Sequence, residues 1–420
     1  MANPQPILSR RTVIFAEIEQ ETDTVASWNA GTRTVTLNGG SWLSSADSEI
    51  GREVIVYDGV PSSAAGASAN GRTVISDNGD STAKTIQLLE SPSFTPASSD
   101  VVSVPKYASS SVDPSATAGN AILCTLPELT VNGEFLKRDY TKKSLTPAEG
   151  VMGNRSVNIS FSCELKGNGG GGGSALPTLN ELDPLLRACG FQRIDDATGT
   201  NYNRVYKPAS EAFESVCLDV FADGLKWTLR GCVGNATFKL EQGKVPMIDF
   251  EFSALYADAD DVAIPTWTVD SSLPAITSYA GLQGWGSSDL PASTLEFSLK
   301  NEITEYLNMS KQALGDPERY MITNRAPSGS FNPQAELAAA EPWAKRWADG
   351  TASGTFQCKV AYKEGGLIHS GKSMKIVFAT KAQASSLGFA DDGGIRRFDW
   401  GFDIATELSN ADDDFKIIMY

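Results

Sequence analysis

Residues Gly366 to Ser373 read GLIHSGKS and satisfy the phosphate-loop pattern GxxxxGK[ST] at every fixed position, after a strand-like run, TFQCKVAYK. Phosphate binding at such a loop needs a helix to open directly behind it, so that free N–H groups and the helix dipole face the anion. The following residues, MKIVFAT, are apolar at Met374, Ile376 and Phe378 and predict a strand. A glycine-rich β-turn is therefore expected, with no nucleotide on Lys372. A second pattern, GxGxxG at Gly167 to Gly172, comes from a run of glycines, and the helix expected after it begins only beyond Ser174-Ala175-Leu176-Pro177. That is too late for the turn to place a pyrophosphate on the helix, and no parallel βαβ unit follows. A loop tip is expected instead.

The remaining reactive groups are sparse. Asp258, Asp260 and Asp261, and Asp412 to Asp414, lack the glycine and distal glutamate of a calcium loop, so solvated acidic turns are expected. One histidine, His369, supplies neither a zinc site nor a Ser/His/Asp constellation. Six cysteines (Cys124, Cys163, Cys189, Cys217, Cys232, Cys358) stand without CxxC spacing, mostly inside apolar segments, as buried thiols do in a reducing compartment. No enzyme activity, cofactor or metal is expected.

The chain has 420 residues, 41% hydrophobic and 20% charged, enough for two or three domains with their own cores. Its net charge of −16 argues against a protein that grips DNA, because phosphate binding is driven by Lys and Arg. A surface that lets DNA slide past would also be acidic, and so would a protein whose acids only keep it soluble. The opening MANPQPILSRR has no secretory apolar stretch, and no run approaches a membrane span, so no membrane partner and no export are expected.

These side chains must be held by mostly β structure. TVIFAEIEQE, Thr12 to Glu21, alternates as a strand. From about Ser27 to Ser111, TRTVTLNGG, GREVIVYDG, GRTVISDNGD, AKTIQLL and DVVSVP are short β runs closed by Gly, Asn, Asp or Pro, the pattern of a small all-β module. SVNISFSCEL predicts a strand, and LPTLNELDPLLRACGF a helix with Leu179, Leu182, Leu185 and Leu186 on one face and Gly190 as its C-terminal cap. FESVCLDVFADG and LKWTLRGCVG read as strands turning at Asp223-Gly224, followed by NATFKLEQG and PMIDFEFSALY. Strands, one helix (EPWAKRWADG) and antiparallel strands then recur up to IRRFDWGFDIAT. The fold class is mainly β: two tandem β-sandwich or barrel domains, each with one flanking helix, plus a small all-β insertion. The expected division is 1–26 as an N-terminal arm and first strand, 27–111 as the insertion, and 112–270 and 271–420 as the two repeats.

Outside residues 27–111 the chain resembles, from end to end, the two-domain family of siphophage tail tube proteins. The specific stretches are LLRACGF (Leu185 to Phe191), YKPAS, and FESVCLDVFADGLKWTLRGCVGNATFKLEQGKVPMIDFEFSALY. An acidic opening strand, Asn120-Ala121-Ile122, Arg138, a serine-rich strand before the helix, and Ile322 to Gly329 standing as ITxRxPxG add to the likeness. The resemblance implies a structural virion protein of a long-tailed bacteriophage, assembled in the host cytoplasm. It implies six domains per ring around a lumen, and rings stacked into a tail tube that delivers the genome. Two domains per chain favour trimeric pseudo-hexameric rings, with hexamers as the alternative. The partners implied are the chain itself, the tail terminator, tail tip and tape measure proteins, and viral DNA held without specific binding. A virion decoration or host-surface-binding protein is the competing reading, and a nucleotide hydrolase dependent on Lys372 a third.

Within that resemblance, the loop from Gly133 to Gly153, with Lys137, Arg138, Tyr140 and Lys142, and the glycine loop with Gly169, Gly170 and Gly171, are candidates to reach the neighbouring ring. Each could equally be a plain exposed loop. Lys226, Thr228, Arg230, Lys239 and Glu241 are candidates for lumen lining, since alternate residues of a barrel strand share a face. The insertion at 27–111 departs from the family and is expected to decorate the outside or to bridge rings.

Overall fold

A computed structural model describes residues 12–38, 53–57, 71–77, 84–90, 95–98, 100–108, 112–138, 140, 146, 148–167, 179–196, 203–270, 273–274, 281–284, 287–290, 292–309, 316–335, 343–350, 356–360, 362–363, 366–367, 373–378, 382–405, 412 and 414–419. The fold is mainly β, as expected. Strand β1 is Thr12–Ile18, and β2 (Gln20–Asn29), β3 (Thr34–Leu37), β4 (Glu53–Tyr57), β5 (Gly71–Asp77), β6 (Thr85–Leu88) and β7 (Val101–Pro105) follow. Next come β8 (Ala121–Ile122), β9 (Glu128–Arg138), β10 (Ala148–Glu164) and helix α1 (Asp183–Ala188). Strands β11 (Phe191–Asp196), β12 (Asn203–Pro208), β13 (Val216–Ala222), β14 (Leu225–Glu241), β15 (Met247–Leu255) and β16 (Ala259–Asp261) complete the first half. The second half holds β17 (Gly281–Gly284), β18 (Ser287–Leu290), β19 (Ala292–Ser298), β20 (Asn301–Tyr306), β21 (Arg319–Arg325), β22 (Ser328–Pro333) and helix α2 (Trp343–Ala348). It ends with β23 (Phe356–Val360), β24 (Tyr362–Lys363), β25 (Gly366–Leu367), β26 (Met374–Phe378), β27 (Ala382–Asp392), β28 (Ile395–Ile404) and β29 (Phe415–Met419).

Strands β2 to β7 close into a barrel in the order β2-β3-β6-β5-β4-β7. Alternation in TVTL and TIQL points Val35, Leu37, Ile86 and Leu88 into a private core with Val25, Val54, Val56, Ile75, Val102 and Val104. Closure leaves the barrel without a free edge. It is carried on two adjacent strand ends, because Gln20 pairs with Pro105 and the Lys106 N–H donates to the Glu19 carbonyl at 2.9 Å. At that stalk the buried Glu19 carboxylate accepts from Ala108 N (2.9 Å), Ser215 Oγ (2.6 Å) and Gly231 N (3.0 Å).

The remaining strands repeat one plan. In the first half β1 pairs with β13, β13 with β14, β14 with β15, β15 with β10, and β10 with β9. In the second half β17 pairs with β23, β23 with β26, β27 with β28, β28 with β22, and β22 with β19. A helix follows the second strand of the long hairpin each time. One apolar cluster runs through both halves in place of the separate cores expected, because β14 pairs with β19 and β12 with β29. Aromatic rings fill it, with Phe297–Phe415 at 4.8 Å and Trp343–Trp400 at 4.9 Å.

Three local expectations change. The first helix starts at Asp183, where Pro184 fits its first turn, so Leu179 lies outside it and exposed while Leu182, Leu185 and Leu186 are buried. Gly190 does sit just past the helix, at φ +82°. LKWTLRGCVG and NATFKLEQG form one strand, β14, with Gly231 at φ +62° where it passes from β13 to β15. The Gly133 to Gly153 segment is largely a strand pair, since β9 and β10 run through it.

Helix α1 stands on a buried ionic cluster. Asp183 accepts from Tyr206 Oη (2.8 Å), Arg193 Nη1 (3.0 Å) and Arg187 Nη1 (3.4 Å), and Arg187 also donates to Glu214 and Gln20. Desolvation alone would push the Asp183 carboxyl up, but the Arg193 and Arg187 charges and the Tyr206 hydroxyl outweigh it and hold the group below its ordinary 3.8. A depressed carboxyl contributes stability that is present above its unfolded pKa and lost as pH falls through the folded one. Asp183→Asn should therefore cost about 3–5 kcal/mol at pH 7 and flatten the acid limb of the stability curve below about pH 4, both read from urea unfolding.

Candidate functional site

Eight strands lie side by side in the order β9-β10-β15-β14-β19-β22-β28-β27. Strict alternation in DFEFSA and LEFSL sends Phe250, Phe252, Leu295 and Phe297 into the core. Their neighbours Asp249, Glu251, Glu296 and Ser298 therefore project from the other face. Two depressions on that face, of about 360 and 600 Å³, are lined mainly by carboxylates, hydroxyls and amides, among them Glu128, Thr130, Ser160, Glu251 and Glu296. Two lysines also line them, Lys239 held by Asp249 at 2.6 Å and Lys244 by Glu241 at 2.8 Å. Hydrogen bonding to Asp249 and its charge raise the Lys239 pKa, so the ammonium stays charged and compensated.

The middle of the sheet is a seam between the halves. Phe238 lies opposite Phe297 with rings stacked at 6.0 Å, and Leu240 opposite Leu295. The Asn235 side chain brackets the Asn301 backbone, its Nδ2 donating to the Asn301 carbonyl at 3.0 Å and its Oδ1 accepting from the Asn301 N–H at 2.6 Å, and Arg325 Nε donates to Asn301 Oδ1 at 3.0 Å. Among the described residues the two outer strands have no such neighbour: β9 pairs only with β10, and β27 only with β28. Val131 on β9 is 51% exposed and Phe389 on β27 is 64% exposed, whereas Phe238 and Phe297 at the seam are fully buried.

The long hairpins also project past the sheet. β15 ends opposite Ser156, leaving residues 133–138 and 148–155 as an arm with exposed Phe135, Leu136, Val151 and Met152. Glycine there marks close packing, since a Cβ on Gly150 would collide with the Phe135 ring. The β20/β21 hairpin forms a second, shorter arm with Tyr306, Leu307 and Met309 exposed. The arms are tied together: Arg155 Nη2 meets Asp316 at 2.7 Å, Asn154 Nδ2 donates to Glu305 at 3.0 Å, and the Arg155 guanidinium lies 4.1 Å from the Tyr256 ring centre.

Of the residues singled out in the sequence, Lys137, Arg138 and Tyr140 are exposed on the first arm, with Arg138 5.4 Å from the Tyr140 ring centre. Lys142, Gly169, Gly170 and Gly171 lie outside the described residues. Lys239 and Glu241 line one of the depressions of the polar face. Lys226, Thr228 and Arg230 occupy the other half of β14: Lys226 bonds Asp219 at 3.0 Å, Thr228 pairs with Asp219, and Arg230 donates to the Val112 carbonyl at 3.1 Å. Sequence reading passed over Glu251, Glu296 and the apolar arm, though their period-two spacing was a signal.

The other motifs find structural roles. β26 follows the GLIHSGKS pattern, so a strand stands where a phosphate loop needs a helix; its residues 368–372 lie outside the described residues. Among the described residues no group of three or more His, Cys, Asp and Glu could hold a metal, and no helix is long and apolar enough to cross a membrane. Burial pushes the Cys358 thiol up to about 12, which keeps it protonated and unreactive.

The described residues thus present a repeated antiparallel unit, one mainly acidic polar sheet face, two strand edges without a partner, and exposed apolar arms. The sequence matches the family model of phage tail tube proteins over residues 95–396, and the chain belongs to that family. No curated protein matches it. The matched span starts after β6, so most of the small barrel lies outside it.

Proposed function

We propose that the chain is the repeating subunit of a siphophage tail tube, three chains to a ring, with the acidic sheet face lining the channel that delivers the genome. The observation that carries this reading is the eight-stranded sheet, whose two halves follow one plan and whose outer edges are both unpaired among the described residues. If the step from first half to second is repeated from chain to chain, the sheet closes on itself. Three chains then supply six repeats and a barrel roughly 40–50 Å across between backbones, by strand spacing and tilt. Such a channel admits a nucleic-acid duplex. Carboxylates and hydroxyls dominate its wall, and the cations there, Lys239 and Lys244, are already paired with Asp249 and Glu241, so phosphates find little to exchange for their counterions and DNA passes without being held.

The arms carry their exposed apolar side chains beyond the barrel wall, where the next ring would cover them. The free ends of a stacked tube would meet the tail terminator, tail tip and tape measure proteins. The small barrel leaves the chain at β1, outside the eight-strand path, which favours a place on the outer surface or between rings.

Negative-stain microscopy of the concentrated protein, with its mass in solution, tests the reading. Hollow stacked rings of three chains with outward projections are expected; rings of six chains would overturn the trimer, and solid filaments the tube. Glu251→Lys with Glu296→Lys should leave tubes intact while slowing genome release from virions, measured by dye uptake of ejected DNA. An unchanged rate would place this face elsewhere than on the channel.

A further inference from the structure

The seam inside the chain specifies the seam between chains. Superposing the two runs of pairings assigns each strand position of one half to a position in the other. Phe250 pairs with Phe161 as Trp400 pairs with Phe331. The isolated bridge Cys124↔Cys163 answers to the pair Ala292↔Pro333, and each lies one residue off the register of its own hairpin, in the same direction. That shared irregularity fixes the alignment, because a shift of two residues would destroy the match. Leu129 (opposite Ile159) then takes the place of Phe297 (opposite Gly329), and Phe389 (opposite Phe398) that of Phe238 (opposite Ile248).

We propose that β27 of one chain pairs antiparallel with β9 of a second copy in the register of β14 with β19, placing Phe389 opposite Leu129, Leu387 opposite Val131 and Ala390 opposite Glu128. This rests on the tube reading and adds to it the residues that meet. Exposure supports it. Phe238, Phe297 and Leu299 are at most 1% exposed, yet their counterparts Phe389 and Val131 are 64% and 51% exposed. Leu129 and Leu387 already lean on the shared core, so each lacks neighbours on one side only. A second copy is the occupant because the chain's own β14 and β19 already form this junction. One feature differs: Gly133 stands where Asn301 would, so the bonds made by the Asn301 side chain, to the Gly234 and Cys189 carbonyls and from Arg325, have no counterpart. The outer seam depends on backbone bonds and the apolar row, as suits a joint that must form late.

The Leu299 N–H donates to the Ala236 carbonyl at 3.2 Å, so Lys239 and Glu296 form the closer, non-hydrogen-bonded kind of pair. Their counterparts Ala390 and Glu128 should therefore accept a disulfide. In assembled tubes, Glu128→Cys with Ala390→Cys should give, on mild oxidation, a covalently closed ring of three on a non-reducing gel. Either single variant, and Glu128→Cys with Gly388→Cys, should give far less. Tubes that cross-link through the shifted pair, or through neither, would overturn the register while leaving the tube reading intact; failure of the unsubstituted chain to form tubes would overturn that reading itself. As an independent check, Phe389→Ala should leave the melting temperature of the free subunit unchanged and raise the protein concentration needed for assembly by at least about tenfold. An unchanged requirement would contradict the proposal.

Discussion

Every backbone N–H and C=O in a sheet needs a partner, and an open sheet always leaves two rows without one. The chain deals with this differently in its two parts. The small barrel closes within itself and buries its own valine-rich core. The eight-stranded sheet cannot close within one chain, because β9 and β27 stand at opposite ends of its path. Its edges are finished with Val131 and Phe389, whereas natural edges are commonly blunted by lysine, proline or a bulge. An edge dressed in apolar residues invites pairing, and in a chain whose halves repeat, the fitting partner is another copy.

The rest of the architecture holds that sheet in shape. The aromatic core behind it spans both halves, so the junction of β14 and β19 is as well packed as any hairpin. The Asn235–Asn301–Arg325 contacts fix the same junction at its end, with Arg325 also reaching the Gly190 and Ala209 carbonyls at 3.0 and 3.1 Å. The cluster around Arg187 joins helix α1 to the barrel stalk through Gln20, whose Oε1 also accepts from Ser103 Oγ at 2.6 Å. The insertion is thus built into the ionic framework and does more than hang from a linker.

Much of this was legible in the sequence, and the failures have physical causes. Period-two alternation revealed the barrel strands, β10 and β15, because each buries one face. Gly190 marked the end of α1 through its positive φ, but the helix start was misplaced because Pro177 and Pro184 carry the same signal and only packing selects between them. The arm read as a loop because Gly133, Gly150 and Gly153 look like turn residues, whereas Gly150 makes room for Phe135 across the strand pair. Lys226 and Arg230 were grouped with Lys239 because both runs follow the first helix with alternating residues; the two runs are one strand, β14, which serves two neighbours, so its halves lie in different surroundings. Edge status was not legible, since whether a strand has a neighbour is a property of the whole topology.

The central claim is that the open rows of β9 and β27 are the surface through which subunits join. Amide hydrogen exchange on free subunits and on assembled tubes tests it most directly. The account predicts fast exchange at the outward-facing amides of residues 129–131 and 387–391 in the free subunit, slowing on assembly to the level expected of the paired strands β14 and β19. Edges that exchange equally fast in both states, with new protection appearing elsewhere, would contradict it.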